Sequence, residues 1–179
     1  GCARRYWCGR DCDAGMRGTD VTEEIQIGVN GQWRTLCVEP TRTLLDVLRN
    51  HLGLKGTRFG CGLEQCGSCT VLLDGAPVLS CGREIGTVDG REVTTIEGLG
   101  RADGRHPLQD AFIEHQAGQC GYCLSGILMR AAALLAESPQ AERAEIASAL
   151  DTHLCRCGAH VRILNAIEAA AALVEEGTR

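Results

Sequence analysis

At 179 residues the chain is long enough for one ordinary domain or two small ones. A net charge of −5 with both signs interspersed leaves no basic footprint for nucleic acid, and 3% aromatic residues cannot build a stacking platform for a single strand. No apolar run approaches the roughly 20 residues that span a bilayer, so direct membrane insertion is not expected.

Residues 1–20 show no periodicity and are expected to be a disordered or non-native extension, with Met16 a plausible start. Arg4-Arg5 lacks the apolar stretch of an export signal, and Cys2, Cys8 and Cys12 match no four-ligand spacing. From Glu24 the pattern alternates: Ile25, Ile27 and Val29, an Asn30-Gly31 turn of type I′, then a return over residues 32–38. Cys37 reads as a small half-buried apolar residue. Pro40 ends the strand, and Thr41 or Thr43 can cap a helix whose apolar face is Leu44, Leu45, Val47, Leu48 and Leu52, with Gly53 as its stop.

The next stretch carries chemistry. Cys61, Cys66, Cys69 and Cys81 stand at C-x4-C-x2-C-x11-C, the plant-type spacing for a 2Fe-2S cluster, with three thiolates on one loop and a fourth arriving later. Gly60, Gly62 and Gly67 let the backbone bend around an inorganic core and bring N–H groups to its sulfurs. Thr70 to Leu73 reads as a strand, Asp74-Gly75 as a turn and Val78-Leu79 as the return that delivers Cys81. Zinc sites more often pair two C-x2-C knuckles, and no secretory signal supports a disulfide framework, so iron and sulfur fit better. A last strand over residues 92–96 completes a small mixed sheet crossed by one helix, the β-grasp arrangement.

Glycine-rich residues 98–105 read as a linker, after which the period changes from two to about 3.6. Helices are expected from Pro107, with Leu108, Ala111, Phe112 and His115 on one face; from near Cys123 to Glu137; over residues 141–150, with Ile146 and Leu150 inward; and over residues 161–176, with Ile163, Ile167, Ala170 and Val174. The organisation is therefore α+β: an extension over residues 1–20, a ferredoxin-type domain over 21–97, the linker, and a four-helix-bundle domain over 106–179.

A second cysteine set lies in the helical half. Cys120 and Cys123 precede one helix, and Cys155 and Cys157 precede another, so the positive ends of two helices favour an anionic cluster. By spacing alone a buried four-cysteine zinc site reads the same. His153 stands near Cys155, but a Rieske centre needs two histidines; His153, like His51, His106, His115 and His160, is expected to face solvent or to pack.

Three stretches together carry a resemblance: GTRFGCGLEQCGSCTVLLDG at residues 56–75, QCGYCLSG at 119–126 and LCRCGAH at 154–160. Residues 24 to about 170 resemble the small iron–sulfur subunit of the molybdenum hydroxylases, the xanthine oxidase and aldehyde oxidoreductase family, nearest its nicotinate dehydrogenase and isoquinoline oxidoreductase types. The resemblance implies two 2Fe-2S clusters, with Cys120, Cys123, Cys155 and Cys157 holding the second. It also implies a large partner subunit bearing a molybdenum–pterin cofactor, expected in its cytosine dinucleotide form. Gln119 would hydrogen-bond the pterin and the chain at Cys157 would make a second contact. Electrons would pass from molybdenum through the second cluster and then the first to an FAD-binding subunit or a cytochrome acceptor, in the cytoplasm. The substrate class implied is an N-heteroaromatic compound or an aldehyde. No residue here is expected to be catalytic, since no triad, phosphate loop or carboxylate pair is apparent. A carbon monoxide dehydrogenase small subunit and a free-standing two-cluster ferredoxin are the alternatives.

Overall fold

The computed structural model describes residues 22–100 and 104–176, with side chains to residue 172. The expected extension over residues 1–20 with its three cysteines, residues 101–103 of the linker and the Val174 side chain lie outside the described residues.

Strands β1 (Glu23–Val29) and β2 (Gln32–Val38) pair antiparallel, closed by Asn30 at φ 52° and Gly31 at φ 76°, the two left-handed residues that a type I′ turn requires. The alternation puts Ile25, Ile27 and Val29 inside. Cys37 is half-buried as expected, with Thr22 Oγ1 3.6 Å from its sulfur.

Thr43 is the cap: its Oγ1 accepts from the Asp46 N–H at 3.3 Å and opens helix α1 (Leu44–Asp46). The rest of the expected helix is a π-turn over Val47–His51. Gly53, at φ 72°, folds the chain back so that the Leu52 and Leu54 N–H groups reach the carbonyls of Val47 and Leu48, wider than a regular helical step. The guanidinium of Arg49 on this turn donates to the carbonyls of Lys55 and Thr57, at 2.9 and 2.6 Å, and so fixes the chain that leads into the cysteine loop.

Strands β3 (Thr70–Leu73) and β4 (Ala76–Leu79) form the second hairpin, turning at Asp74 and Gly75. Strand β5 (Glu92–Thr94) is shorter than the sequence suggests, because the Thr95 N–H bonds to Asn30 Oδ1 at 2.9 Å and a 3-10 turn follows. The sheet order is β2-β1-β5-β3-β4, with β1 and β5 parallel and the other pairs antiparallel. Leu44, Val47 and Leu48 pack against Ile27, Val71, Leu73 and Val93 beneath it.

Helices α2 (Pro107–Glu114), α3 (Leu124–Glu137), α4 (Arg143–Ala149) and α5 (His160–Glu176) follow, making the fold α+β. His106 is more than a packing residue: its Nδ1 accepts from the Leu108 N–H, while its own backbone N–H donates to Gln109 Oε1, a reciprocal cap on α2. The expected stripes meet in a second core of Leu108, Phe112, Ile127, Leu134, Ile146, Ile163 and Ile167. Among the described residues no helix is long and apolar enough to cross a membrane.

Candidate metal centres

The loop between the π-turn and β3 folds around the sulfur of Cys61. Gly62, Glu64 and Gly67 all have positive φ, and these turns aim the N–H groups of Leu63 and Gln65 at Cys61 Sγ, each at 3.3 Å. The Cys61 N–H lies 3.3 Å from Cys66 Sγ, and the Ser68 hydroxyl 3.6 Å from the same atom. A Cβ at Gly60 would sit 2.5 Å from Cys66 Sγ, so a residue without a side chain is required there. Cys69 at the foot of β3 and Cys81 beyond β4 are buried together, and the Ser80 hydroxyl donates to the Cys69 carbonyl at 2.7 Å to hold the ends of the hairpin in place.

The electrostatics divide these thiols. Exposed Cys61 is lowered to about 7 by the N–H groups of Leu63 and Gln65, whereas burial pushes Cys69 up to about 12. A bound metal overrides both, because a coordinating thiol is deprotonated outright. What the loop contributes is a set of donors already aimed at sulfur.

The helical half repeats the design. Cys123 caps α3, and its thiol, pushed up to about 12 by burial, lies against that of Cys155. Cys120 Sγ and Cys157 Sγ are 3.6 Å apart. Cys120 is lowered by the Tyr122 N–H; burial works to raise Cys155, but N–H groups of Ala159, Cys157 and Gly158 outweigh it. In each half the four sulfurs thus stand as two pairs: Cys61 with Cys66 and Cys69 with Cys81, then Cys120 with Cys157 and Cys123 with Cys155. Two pairs suit two irons with two thiolates each, and all eight cysteines are free thiols.

The two halves are joined at these loops. The Leu154 N–H donates to the Cys66 carbonyl at 3.1 Å. Gly126 on α3 lets the helix approach the Gly67 carbonyl, where any Cβ would collide. The Tyr122 hydroxyl donates to the Phe59 carbonyl at 2.6 Å, with Arg58 over its ring. His153, expected to be solvent-facing or merely packed, is 5% exposed and bonded to Thr70 at 3.1 Å; burial, helped by the charge of Arg130, pushes it down to about 4. None of these contacts has a periodic signature, although the helix-interior glycine Gly126 is a visible sign of close approach. Gln119 is exposed beside Cys120.

The family model described as "2Fe-2S iron-sulfur cluster binding domain" matches residues 27–96, and that described as "[2Fe-2S] binding domain" matches residues 95–168. A nicotinate dehydrogenase subunit from Pseudomonas putida is 47% identical over 147 residues, 82% of this chain and 94% of that protein. The alpha subunit of isoquinoline 1-oxidoreductase from Brevundimonas diminuta is 49% identical over 148 residues, 82% of this chain and 97% of that one. The chain belongs to the iron–sulfur subunits of the molybdenum hydroxylases. The crystal structure of quinoline 2-oxidoreductase from Pseudomonas putida 86 superposes with a TM-score of 0.82 at 40% identity, over 87% of this chain and 98% of that one. This iron–sulfur subunit carries two 2Fe-2S binding domains and serves electron transfer in an oxidoreductase.

Proposed function

We propose that Cys61, Cys66, Cys69 and Cys81 hold one 2Fe-2S cluster and Cys120, Cys123, Cys155 and Cys157 the other, as a two-step relay beneath a molybdenum–pterin subunit. The observation that carries this is the Leu154 N–H to Cys66 carbonyl bond, 3.1 Å long, which connects the neighbour of one ligand to another ligand across the two halves. From Cys155 to Cys66 the route runs through main chain and one hydrogen bond, with no gap through space. Each cluster, when bound, takes up and returns one electron. The protein's own part is to exclude water from Cys69, Cys81 and Cys123, to direct N–H groups at the sulfurs of Cys61, Cys66, Cys120 and Cys155 and so tune potential, and to hold the halves together.

Gln119 and the Cys157 segment are our assigned pterin contacts. The 3.6 Å approach of Cys120 to Cys157 brings the two segments side by side, and an exposed amide offers donor and acceptor to a heterocycle's edge. The molybdenum–pterin, in its cytosine dinucleotide form, belongs to the large partner; an FAD-binding subunit or cytochrome receives the electrons. An N-heteroaromatic substrate is favoured by the relatives that are named for nicotinate, isoquinoline and quinoline. We place the boundaries at 21–97 and 106–179, a β-grasp domain and a four-helix bundle. We assign a cytoplasmic location, where reducing conditions keep these eight cysteines available as ligands.

The test is rapid-freeze electron paramagnetic resonance of the native complex mixed with nicotinate, quinoline or an aldehyde. Sequential appearance of two 2Fe-2S signals with one of these substrates is expected; a complex in which substrate reduces neither centre would overturn the relay.

A further inference from the structure

Resting on the relay reading, one buried side chain is left without a role. His153 is 5% exposed and belongs to neither cysteine set. Its ring lies in the space that Gly67 leaves by having no Cβ, hard against the cysteine loop of the other half. Its backbone N–H donates to the Leu150 carbonyl at 2.8 Å at the end of α4, and its carbonyl faces His160 Nε2 at the start of α5, 3.5 Å away. The next residue is Leu154, whose N–H meets Cys66.

The hydrogen-bond directions around the ring follow from counting protons. The Thr70 hydroxyl gives its proton to the Gly67 carbonyl at 2.7 Å, so towards His153 Nε2, 3.1 Å away, it can only accept. Nε2 therefore carries the hydrogen, and Nδ1 is left to accept from the Thr152 hydroxyl at 3.4 Å. A directed chain results: Thr152 to His153, His153 to Thr70, Thr70 to Gly67. It begins beside the Cys155 segment and ends on the residue between Cys66 and Ser68. A second side-chain bond across this boundary, Tyr122 to Phe59, lies exposed at the rim, whereas that of His153 lies at the buried end.

We propose that His153 is the positioning residue that sets the two iron–sulfur sites in register, its Nε2–H on Thr70 keeping the bond between Leu154 and Cys66 closed. Neither proton nor bond changes hands at the imidazole; it acts through the main chain of its neighbour. Thr70, directly after Cys69, is its counterpart on the ferredoxin side.

The experiment compares the native complex with His153→Ala, Thr70→Val and His153→Gln, each reduced with dithionite. Iron is counted, midpoint potentials are titrated, and the mutual splitting of the two paramagnetic signals is recorded at low temperature. The expected result is that His153→Ala and Thr70→Val keep both signals and their iron, lose the resolved splitting, and show it again in His153→Gln, whose amide N–H can reach Thr70. Splitting unchanged in both Ala and Val variants would overturn the proposal. So would loss of iron in His153→Ala with Thr70→Val indistinguishable from the native protein, since that makes the ring structural alone. A native complex with a single signal would instead sink the two-cluster reading before any variant is compared.

Discussion

Leu154 donates its N–H to the carbonyl of Cys66 at 3.1 Å, so a residue flanking one cysteine set is bonded to a member of the other. The bond joins loops far apart in sequence, beside the place where Gly126 lets helix α3 touch the Gly67 carbonyl and where Gly67 leaves room for the His153 ring. The spacing of the two centres is therefore a property of packing as much as of ligand placement.

Cys66→Ser should damage the first centre alone. The second rests on the starts of α3 and α5, whose core residues do not depend on the loop. Iron analysis should fall from about four to about two atoms per chain, with one paramagnetic signal surviving. Loss of both signals would mean that the halves assemble their centres together.

Gln119→Ala changes an exposed side chain and should alter stability by less than about 0.5 kcal/mol. Both clusters should persist while the molybdenum-bearing partner is retained less well or electron entry slows. Partner retention on size exclusion, alongside iron content, decides this; loss of the Cys120 centre would give Gln119 a structural role instead.

Gly126→Ala tests the contact between the halves. Its Cβ would stand 2.0 Å from the Gly67 carbonyl oxygen, a backbone atom, which puts the overpacking cost at the upper end, about 3 kcal/mol, and leaves about 2 kcal/mol net after the gain of about 1 kcal/mol in helix propensity. Thermal unfolding of the cluster-loaded protein should begin several degrees lower. An unchanged or higher transition would show that the interface yields freely.

Sequence reading reaches the two hairpins, because alternation and the Asn30-Gly31 and Asp74-Gly75 turns are local signals, and it reaches the helix faces through their 3.6-residue period. The two cysteine sets stand out by their spacing, which is written in the chain itself, and the fold brings the members of each set together. The π-turn at Val47–His51 is not legible, since it depends on where Gly53 sends Leu54. That His153 packs in the seam between the two halves, rather than at the surface, is hidden for a related reason. It sits in an aperiodic loop, and its burial comes from Gly67 and Thr70, which are remote in sequence.

Metal-free protein that keeps its fold should show ordered thiol reactivity. At pH 7 Cys61, lowered to about 7, is about half thiolate, and Cys69 and Cys123, near 12, are protonated. Raising the pH from 7 to 9 should speed Cys61 alkylation only about twofold, against more than tenfold for an ordinary thiol near 8.5. Mass spectrometry of iodoacetamide-treated samples reads the order. Uniform labelling of all three would show that the donors around Cys61 assemble only with the metal.

The central claim is a two-cluster relay bound to a molybdenum subunit, and affinity recovery of the native protein with metal and sulfide analysis tests it most directly. About four irons and four acid-labile sulfides per chain, with stoichiometric molybdenum on a large co-purifying subunit, is the predicted result. Zinc in place of iron, or the same iron on a chain that recovers neither partner nor molybdenum, would contradict it.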